Sequence, residues 1–222
     1  MKFEKIPAKT LRQRVFEQLR DKIISAEILP GEIMTLRDLA EKFDVSLMPV
    51  REAVWQLESQ KVIVVQSNKS VRVNELTGEQ MEEALRLRIL LETMAAERSC
   101  RLRPDSAVPA VQALLEGMKS AAGKRPKIYM RKNTEFHFAI YSYSRSPLLL
   151  EIVGWLWARV GPYVYRDAVK KRDVGYAMKC HQEMFEGFAE RDQQKLADAL
   201  RRDLEAAAQT IIPSLARPAT AP

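Results

Sequence analysis

The stretch TLRDLAEKFDVSLMPVREAVWQL, Thr35 to Leu57, reads as two short helices joined by a tight turn. Thr35 stands three residues before Asp38, the spacing of a capping box with a short acid. Leu36, Leu39, Ala40 and Phe43 then recur at helical spacing. Asp44 supplies the turn and Val45 packs inward, while Ser46 is a good N-cap for the next helix. Pro49 is tolerated in that helix's first turn, where backbone N–H groups lack intrahelical partners anyway. Val50, Val54 and Leu57 mark its apolar side. Toward the N-terminus, Leu11, Val15, Leu19 and Ile23 form the stripe of a preceding helix, which ends before the turn signal Pro30-Gly31. Toward the C-terminus, the β-branched runs Val62 to Val65 and Val71 to Val73 flank Gln66 to Ser70 and predict a hairpin. Three short helices followed by a hairpin make a winged helix-turn-helix over residues 8–75.

Beyond a short linker at Asn74 to Gly78 the pattern is helical throughout. Thr77 and Gln80 form a second capping box. Six helices are predicted at about 78–102, 105–122, 126–145, 147–171, 174–190 and 192–212. Gly161-Pro162 should kink or break the fourth. The fold class is therefore mainly α: a winged helix-turn-helix of three helices and a β-hairpin wing, then an all-α bundle of six or seven helices over residues 78–212. Residues 213–222, rich in Pro and Ala, read as a disordered tail.

The chain has 222 residues, of which 46% are hydrophobic, enough for two cores. It has no run of about 18 apolar residues and no apolar stretch near the N-terminus, so neither a membrane partner nor a secretory signal is expected. Cys100 and Cys180 lie in helical patterns and suggest reduced thiols rather than a disulfide framework. These features point to the cytoplasm. The net charge of +7 suits a nucleic-acid partner, yet residues 1–77 carry 13 Lys and Arg against 11 Asp and Glu. A DNA-binding assignment must rest on where particular basic residues sit.

In a helix-turn-helix the first turn of the second helix faces base edges in the major groove. Here that turn is Ser46 to Glu52. Arg51 is placed to reach a guanine edge or a phosphate, Ser46 and Arg37 a phosphate, and Lys69 at the wing tip the minor groove or a phosphate. The alternative is that these are solvated surface charges.

Pro30-Gly31, Leu39-Ala40 and the run Val45-Ser-Leu-Met-Pro-Val-Arg-Glu-Ala-Val54 resemble the signature of the GntR family of transcription regulators. The resemblance covers about residues 8–75. It implies DNA-contacting roles for Arg37, Ser46, Met48, Pro49 and Arg51, and for the wing at Lys69 and Ser70. It also implies a homodimer on a near-palindromic operator in double-stranded DNA. Leu47 stands where the family usually has an arginine, and Ser70 where the wing usually has a glycine.

The bundle carries polar residues on apolar helix faces. His137 lies one turn after Asn133, and His181 lies on a stripe between Met178 and Phe185. Asp203 interrupts the series Leu196, Leu200, Ala207 and Ile211. Arg88 falls among Met81, Leu85 and Ala95, with Glu92 one turn on. A buried unpaired charge is very costly. Asn133, His137, His181 and Asp203 could therefore hold a divalent cation, with Arg88 neutralising an organic acid. Alternatively, Arg88 pairs with Glu92, and Asp203 with His181, with no metal present. Residues from about 80 to 210 resemble the FCD ligand-binding domain of the FadR-type branch, on Arg88-x-x-x-Glu92, Asn133-Thr-Glu-Phe-His137, Ser146-Pro-Leu-Leu149, His181 and Asp203. That family's ligand pattern is Asp-x-x-x-His, then His, then His. Here Asn133 and Asp203 depart from it, which keeps the formal charge and loses one imidazole. The resemblance implies a site for zinc, nickel or manganese, shifted toward oxygen-preferring ions, and a small organic acid effector.

The leading expectation is a ligand-responsive regulator, most simply a repressor of a metabolic operon, with no enzymatic activity. One rival is a regulator whose bundle only dimerises. A remoter one is a metal-dependent hydrolase or oxygenase, since two His and a carboxylate resemble a facial triad.

Overall fold

The computed structural model describes residues 11–66, 70–171 and 174–215, and the chain divides between Glu75 and Leu76 into two compact units. The first contains α1 (Leu11–Ile24), β1 (Ile33–Thr35), α2 (Leu36–Phe43), α3 (Leu47–Ser59), β2 (Ile63–Val65) and β3 (Ser70–Val73). Val15, Phe16, Leu19 and Ile23 of α1 pack on Val50, Ala53, Val54 and Leu57 of α3 to form its core. Leu11, the first residue of the expected stripe, is exposed instead.

The turn between α2 and α3 follows from local chemistry. Thr35 and Asp38 form a reciprocal capping box at the start of α2, and Asp44 ends it in the left-handed conformation at φ 51°. Asp44 is among the residue types that tolerate this conformation. Val45 N–H then donates to the Ala40 carbonyl at 3.1 Å, reversing the chain into α3.

The hairpin pairs Ile63 with Val73 and Val65 with Val71 in antiparallel register. A strand absent from the sequence reading, β1, pairs along the other edge of β3, giving the order β1-β3-β2. The backbone reaches β1 through Gly31 at φ +82°, a conformation that favours glycine, where its N–H donates to the Val73 carbonyl. Glu58 near the end of α3 accepts from Val65 N–H at 3.0 Å and so ties the wing to that helix.

The second unit is all helical: α4 (Gly78–Leu102), α5 (Ala107–Ala121), α6 (Pro126–Ser142), α7 (Pro147–Lys171), α8 (Gly175–Glu190) and α9 (Gln193–Leu215). Thr77 and Gln80 cap α4 reciprocally. α4 packs against α6, α7 and α9, and α8 packs along α9. The α8–α9 approach is close at Gly187, where a Cβ would lie 2.6 Å from the Leu196 nitrogen. Two arginines close the helix ends reciprocally. Arg103, following α4, donates to the Phe188 and Ala189 carbonyls of α8, and Arg191, following α8, donates to the Cys100, Arg101 and Arg103 carbonyls. Cations at helix C-termini satisfy carbonyls that have no intrahelical donor.

Two expectations need correction. Pro162 does not break the fourth helix of the bundle: α7 is continuous through it, with Val160 and Tyr163 buried on either side. Packing of that apolar segment holds the helix where local chemistry alone would end it. The final helix also runs to Leu215, past Pro213, where the disordered tail was expected to begin. Residues 216–222 of that tail lie outside the described residues. Cys100 and Cys180 are free and buried, and no helix among the described residues is long and apolar enough to cross a membrane.

Candidate functional site

The first unit presents the start of α3 to solvent. Ser46 has the extended backbone of an N-cap, but its hydroxyl makes no capping bond. That hydroxyl is thus available to an external acceptor. Pro49 sits in the first turn, where it removes a donor the helix cannot use. Arg51 follows on the next turn, half-buried, and makes no ion pair among the described residues. Arg37, Ser46 and Leu47 line one shallow groove with Glu41 and Asp44. Met48 is exposed. Ser70 is not part of this surface: it is buried at the start of β3 and its hydroxyl donates to Gln66 at 2.6 Å. Lys69 lies outside the described residues.

The second unit brings His137 of α6, His181 of α8 and Asp203 of α9 to one point. Their ligand atoms all lie within 4.8 Å of one another. The Nε2 atoms of the two imidazoles are 3.1 Å apart, and Asp203 oxygens lie 3.6 Å from His137 Nε2 and 3.5 Å from His181 Nε2. Two ligands of one ion can be about 4 Å apart when each bond is about 2 Å, so these separations fit a single cation that both Asp203 oxygens face, Oδ2 beside His137 and Oδ1 beside His181.

The tautomer of His137 follows from its neighbours. Tyr141, one turn on, donates its only hydroxyl proton to Glu92 at 2.7 Å. Its oxygen, 2.9 Å from His137 Nδ1, must therefore accept. His137 is thus protonated at Nδ1 and turns the Nε2 lone pair toward His181 and Asp203. Whichever nitrogen of His181 carries the proton, its buried Nδ1 has no partner. Burial, then His181, push the His137 pKa down to about 3, so the ring is neutral at pH 7. Burial acts to raise Asp203, but His181, His137 and Arg88 outweigh it and hold the carboxyl below its usual range. A neutral His137 imidazole whose Nε2 lone pair is turned toward a carboxylate is the protonation state a metal ligand requires. By donor chemistry, these residues fit a divalent cation.

A cavity of about 140 Å³ opens beside them, and Asn133, Arg88 and Trp157 help line it. Asn133 sits one turn before His137 on α6 and is buried. Arg88 is 2% exposed; its Nε and Nη2 donate to Glu92 at 2.5 and 3.4 Å, and it stacks over Trp157 at 4.3 Å from the ring centre. Its Nη1 is not committed to Glu92. The ion pair cancels, which leaves the Asp203 charge beside the two rings. Asp167 adds a second carboxylate on the wall, where it accepts from Thr210 at 2.9 Å.

Tyr141 and Trp157 are the participants the sequence reading passed over. The one-turn spacing of His137 and Tyr141 was a usable signal. Nothing local marks Trp157.

A winged helix in one unit and a helical bundle with a buried polar cavity in the other are the parts of a transcription regulator that binds DNA. A family model described as "Bacterial regulatory proteins, gntR family" matches residues 11–73, and one described as "FCD domain" matches residues 83–206. The HTH-type transcriptional regulator McbR of Escherichia coli (strain K12) is 31% identical over 160 residues, 70% of this chain and 72% of that protein. The gluconate operon transcriptional repressor of Bacillus subtilis (strain 168) is 36% identical over 118 residues, 51% of this chain and 48% of that one. In fold, the solved structure of E. coli McbR/YncC matches with a TM-score of 0.86 at 23% identity, covering 93% of this chain and 99% of that one. The chain belongs to the GntR family of bacterial regulators, in the group that carries an FCD domain.

Proposed function

We propose that the protein is a ligand-responsive repressor of a metabolic operon. It acts in the cytoplasm as a homodimer on a near-palindromic operator, and its bundle senses a small organic acid through a divalent metal. Arg51 contacts a guanine edge, Ser46 and Arg37 contact phosphates, and Met48 and Pro49 lie against the groove. Lys69 is the wing's contact. A two-fold protein meets a two-fold site, which is the reason to expect a near-palindrome.

The observation that carries the sensing role is the convergence of His137, His181 and Asp203 on one point beside a cavity. His137, His181 and Asp203 hold the ion, with Asn133 as the fourth candidate ligand. The mixed nitrogen and oxygen set suits zinc, nickel or manganese, and the gain of a carboxylate for an imidazole favours manganese. When bound, the ion supplies an acceptor for a carboxylate. Asp203 and Asp167 would otherwise repel an acid, so binding of the acid depends on the ion. Arg88 offers Nη1 to the same carboxylate. A cavity of about 140 Å³ is close in size to one that takes up benzene elsewhere, so the effector is a short acid of a few carbons.

The test is elemental analysis of protein purified without chelator, followed by gel shift of a selected operator with metal and candidate acids added in turn. A bound divalent metal and acid-dependent change in DNA affinity support the reading. The commitment of Arg88 to Glu92 favours the rival in which the bundle only dimerises. Absence of thermal stabilisation by any divalent metal or short acid would establish that rival instead.

A further inference from the structure

The solvent side of α3 is apolar where the helix begins. Leu47 is 40% exposed and Met48 59% exposed. The other side of the helix, Val50, Ala53, Val54 and Leu57, is buried against the rest of the unit. Leu47 and Met48 therefore contribute little to the core. Trp55, seven residues after Met48 and so on the same side at about 100° per residue, is also exposed. Arg51 is the one basic side chain between Ser46 and Ser59. Exposed apolar side chains clustered at the start of one helix call for a partner that buries them.

We infer that Leu47 and Met48 read thymines, by packing on the C5-methyl groups that thymine presents in the major groove. This rests on the proposed placement of α3 in that groove, and it specifies what the helix reads there. The thymine methyl is the apolar feature of the base-pair edges in the major groove. The first helical turn is the part of a recognition helix that meets those edges. A leucine cannot donate to guanine N7 and O6, and neither side chain forms a bidentate pair with adenine. Packing against a methyl is the contact open to both. Leucine at position 47 is then an exchange rather than a loss. Where an arginine would select guanine, Leu47 selects thymine at the neighbouring step, and Arg51 alone supplies charge-assisted reading.

Selection of bound duplexes from a random-sequence library provides the operator. Each consensus thymine is then replaced singly with uracil, which removes the methyl and leaves the base pair intact. Binding is measured by fluorescence anisotropy at one fixed salt concentration. Burial of one methyl predicts a loss of about four-fold per critical thymine, at symmetrical positions in the two half-sites. Leu47→Ser and Met48→Ser should bind the thymine and uracil duplexes equally at the position each side chain reads. Both residues are exposed, so the two variants should melt with the parent protein. A clear consensus in which uracil is tolerated at every position overturns the thymine reading and leaves α3 as the recognition helix. No consensus from the selection overturns both.

Discussion

Replacing Tyr141 with phenylalanine removes one oxygen and leaves the ring's packing in place. In the structure that oxygen accepts from His137 Nδ1–H and passes its own proton to Glu92. It thereby holds the His137 Nε2 lone pair toward His181 and Asp203. In Tyr141→Phe the Nδ1–H loses its acceptor in a site that is 1% exposed. The ring is then free to shift its proton to Nε2, the atom the metal needs. Loss of such an outer partner typically weakens metal binding about 10–100-fold, or about 1.4–2.7 kcal/mol. At a metal concentration about 1,000 times the parent dissociation constant, metal stabilises the parent by about 4.1 kcal/mol, and a variant weakened 100-fold by about 1.4 kcal/mol. For a chain of this length the difference is about 5–11 °C in the metal-induced rise of Tm. The assay is calorimetric titration of chelator-stripped protein with manganese and zinc, paired with melting curves with and without metal. The stripped variant should lose a further about 1–3 kcal/mol from the unsatisfied imidazole, and the no-metal curve subtracts that component. Equal metal affinity in parent and variant would refute the assignment of Tyr141 as the group that orients His137.

The remaining outcomes follow from single contacts. His137→Ala combined with His181→Ala should leave the purified protein without bound divalent metal by elemental analysis; metal retained at the parent level would move the site elsewhere. Arg51→Ala should weaken operator binding by about 1–3 kcal/mol in gel shift and relax preference at one base step, while unchanged affinity removes Arg51 from base reading. Glu92→Ala strands Arg88 unpaired at 2% exposure and should destabilise the bundle by about 3–5 kcal/mol in denaturant unfolding; a small effect would mean the guanidinium finds another acceptor. Gly187→Ala places a Cβ 2.6 Å from the Leu196 backbone, which should cost about 1–3 kcal/mol by the same measurement.

Much of this fold was written in short-range chemistry. The capping boxes at Thr35 and Thr77 form as their spacing implies. The helices α4 to α9 begin within two residues of the expected positions because each start is marked by a cap, a proline or a polar break. The errors share a cause. β1 is three residues long and exists because β3 offers an edge, a pairing no local window contains. Pro162 reads as a break from its own neighbours, yet Val160 and Tyr163 are buried by other helices, and that packing outweighs the lost backbone bond. Ser46 has the identity of a capping residue without the capping bond, since a backbone turn fixed by Asp44 sets the helix start regardless.

The candidate centre was legible in parts for the same reason. One-turn spacings, Asn133 to His137 and Arg88 to Glu92, can be seen along a helix. The meeting of His137, His181 and Asp203 needs three helices separated in sequence; their placement on apolar stripes hinted at it, and the resemblance to the FCD ligand pattern grouped them. The link that completes the site was hidden: Glu92 serves two partners, Arg88 four residues away and Tyr141 forty-nine residues away. Seen from the sequence, Arg88 either pairs with Glu92 or binds an acid. The geometry leaves room for both. Glu92 takes Nε and Nη2, holds the guanidinium flat on Trp157, and leaves Nη1 uncommitted at a cavity whose other polar wall is the imidazole pair. One buried carboxylate thus orients both the cation that would meet an acid and, through Tyr141, the imidazole that would hold a metal. That shared dependence explains why an ion pair with no outlet to solvent sits in the middle of an apolar bundle: its net contribution to stability is small, and its geometric role is to fix two groups at once.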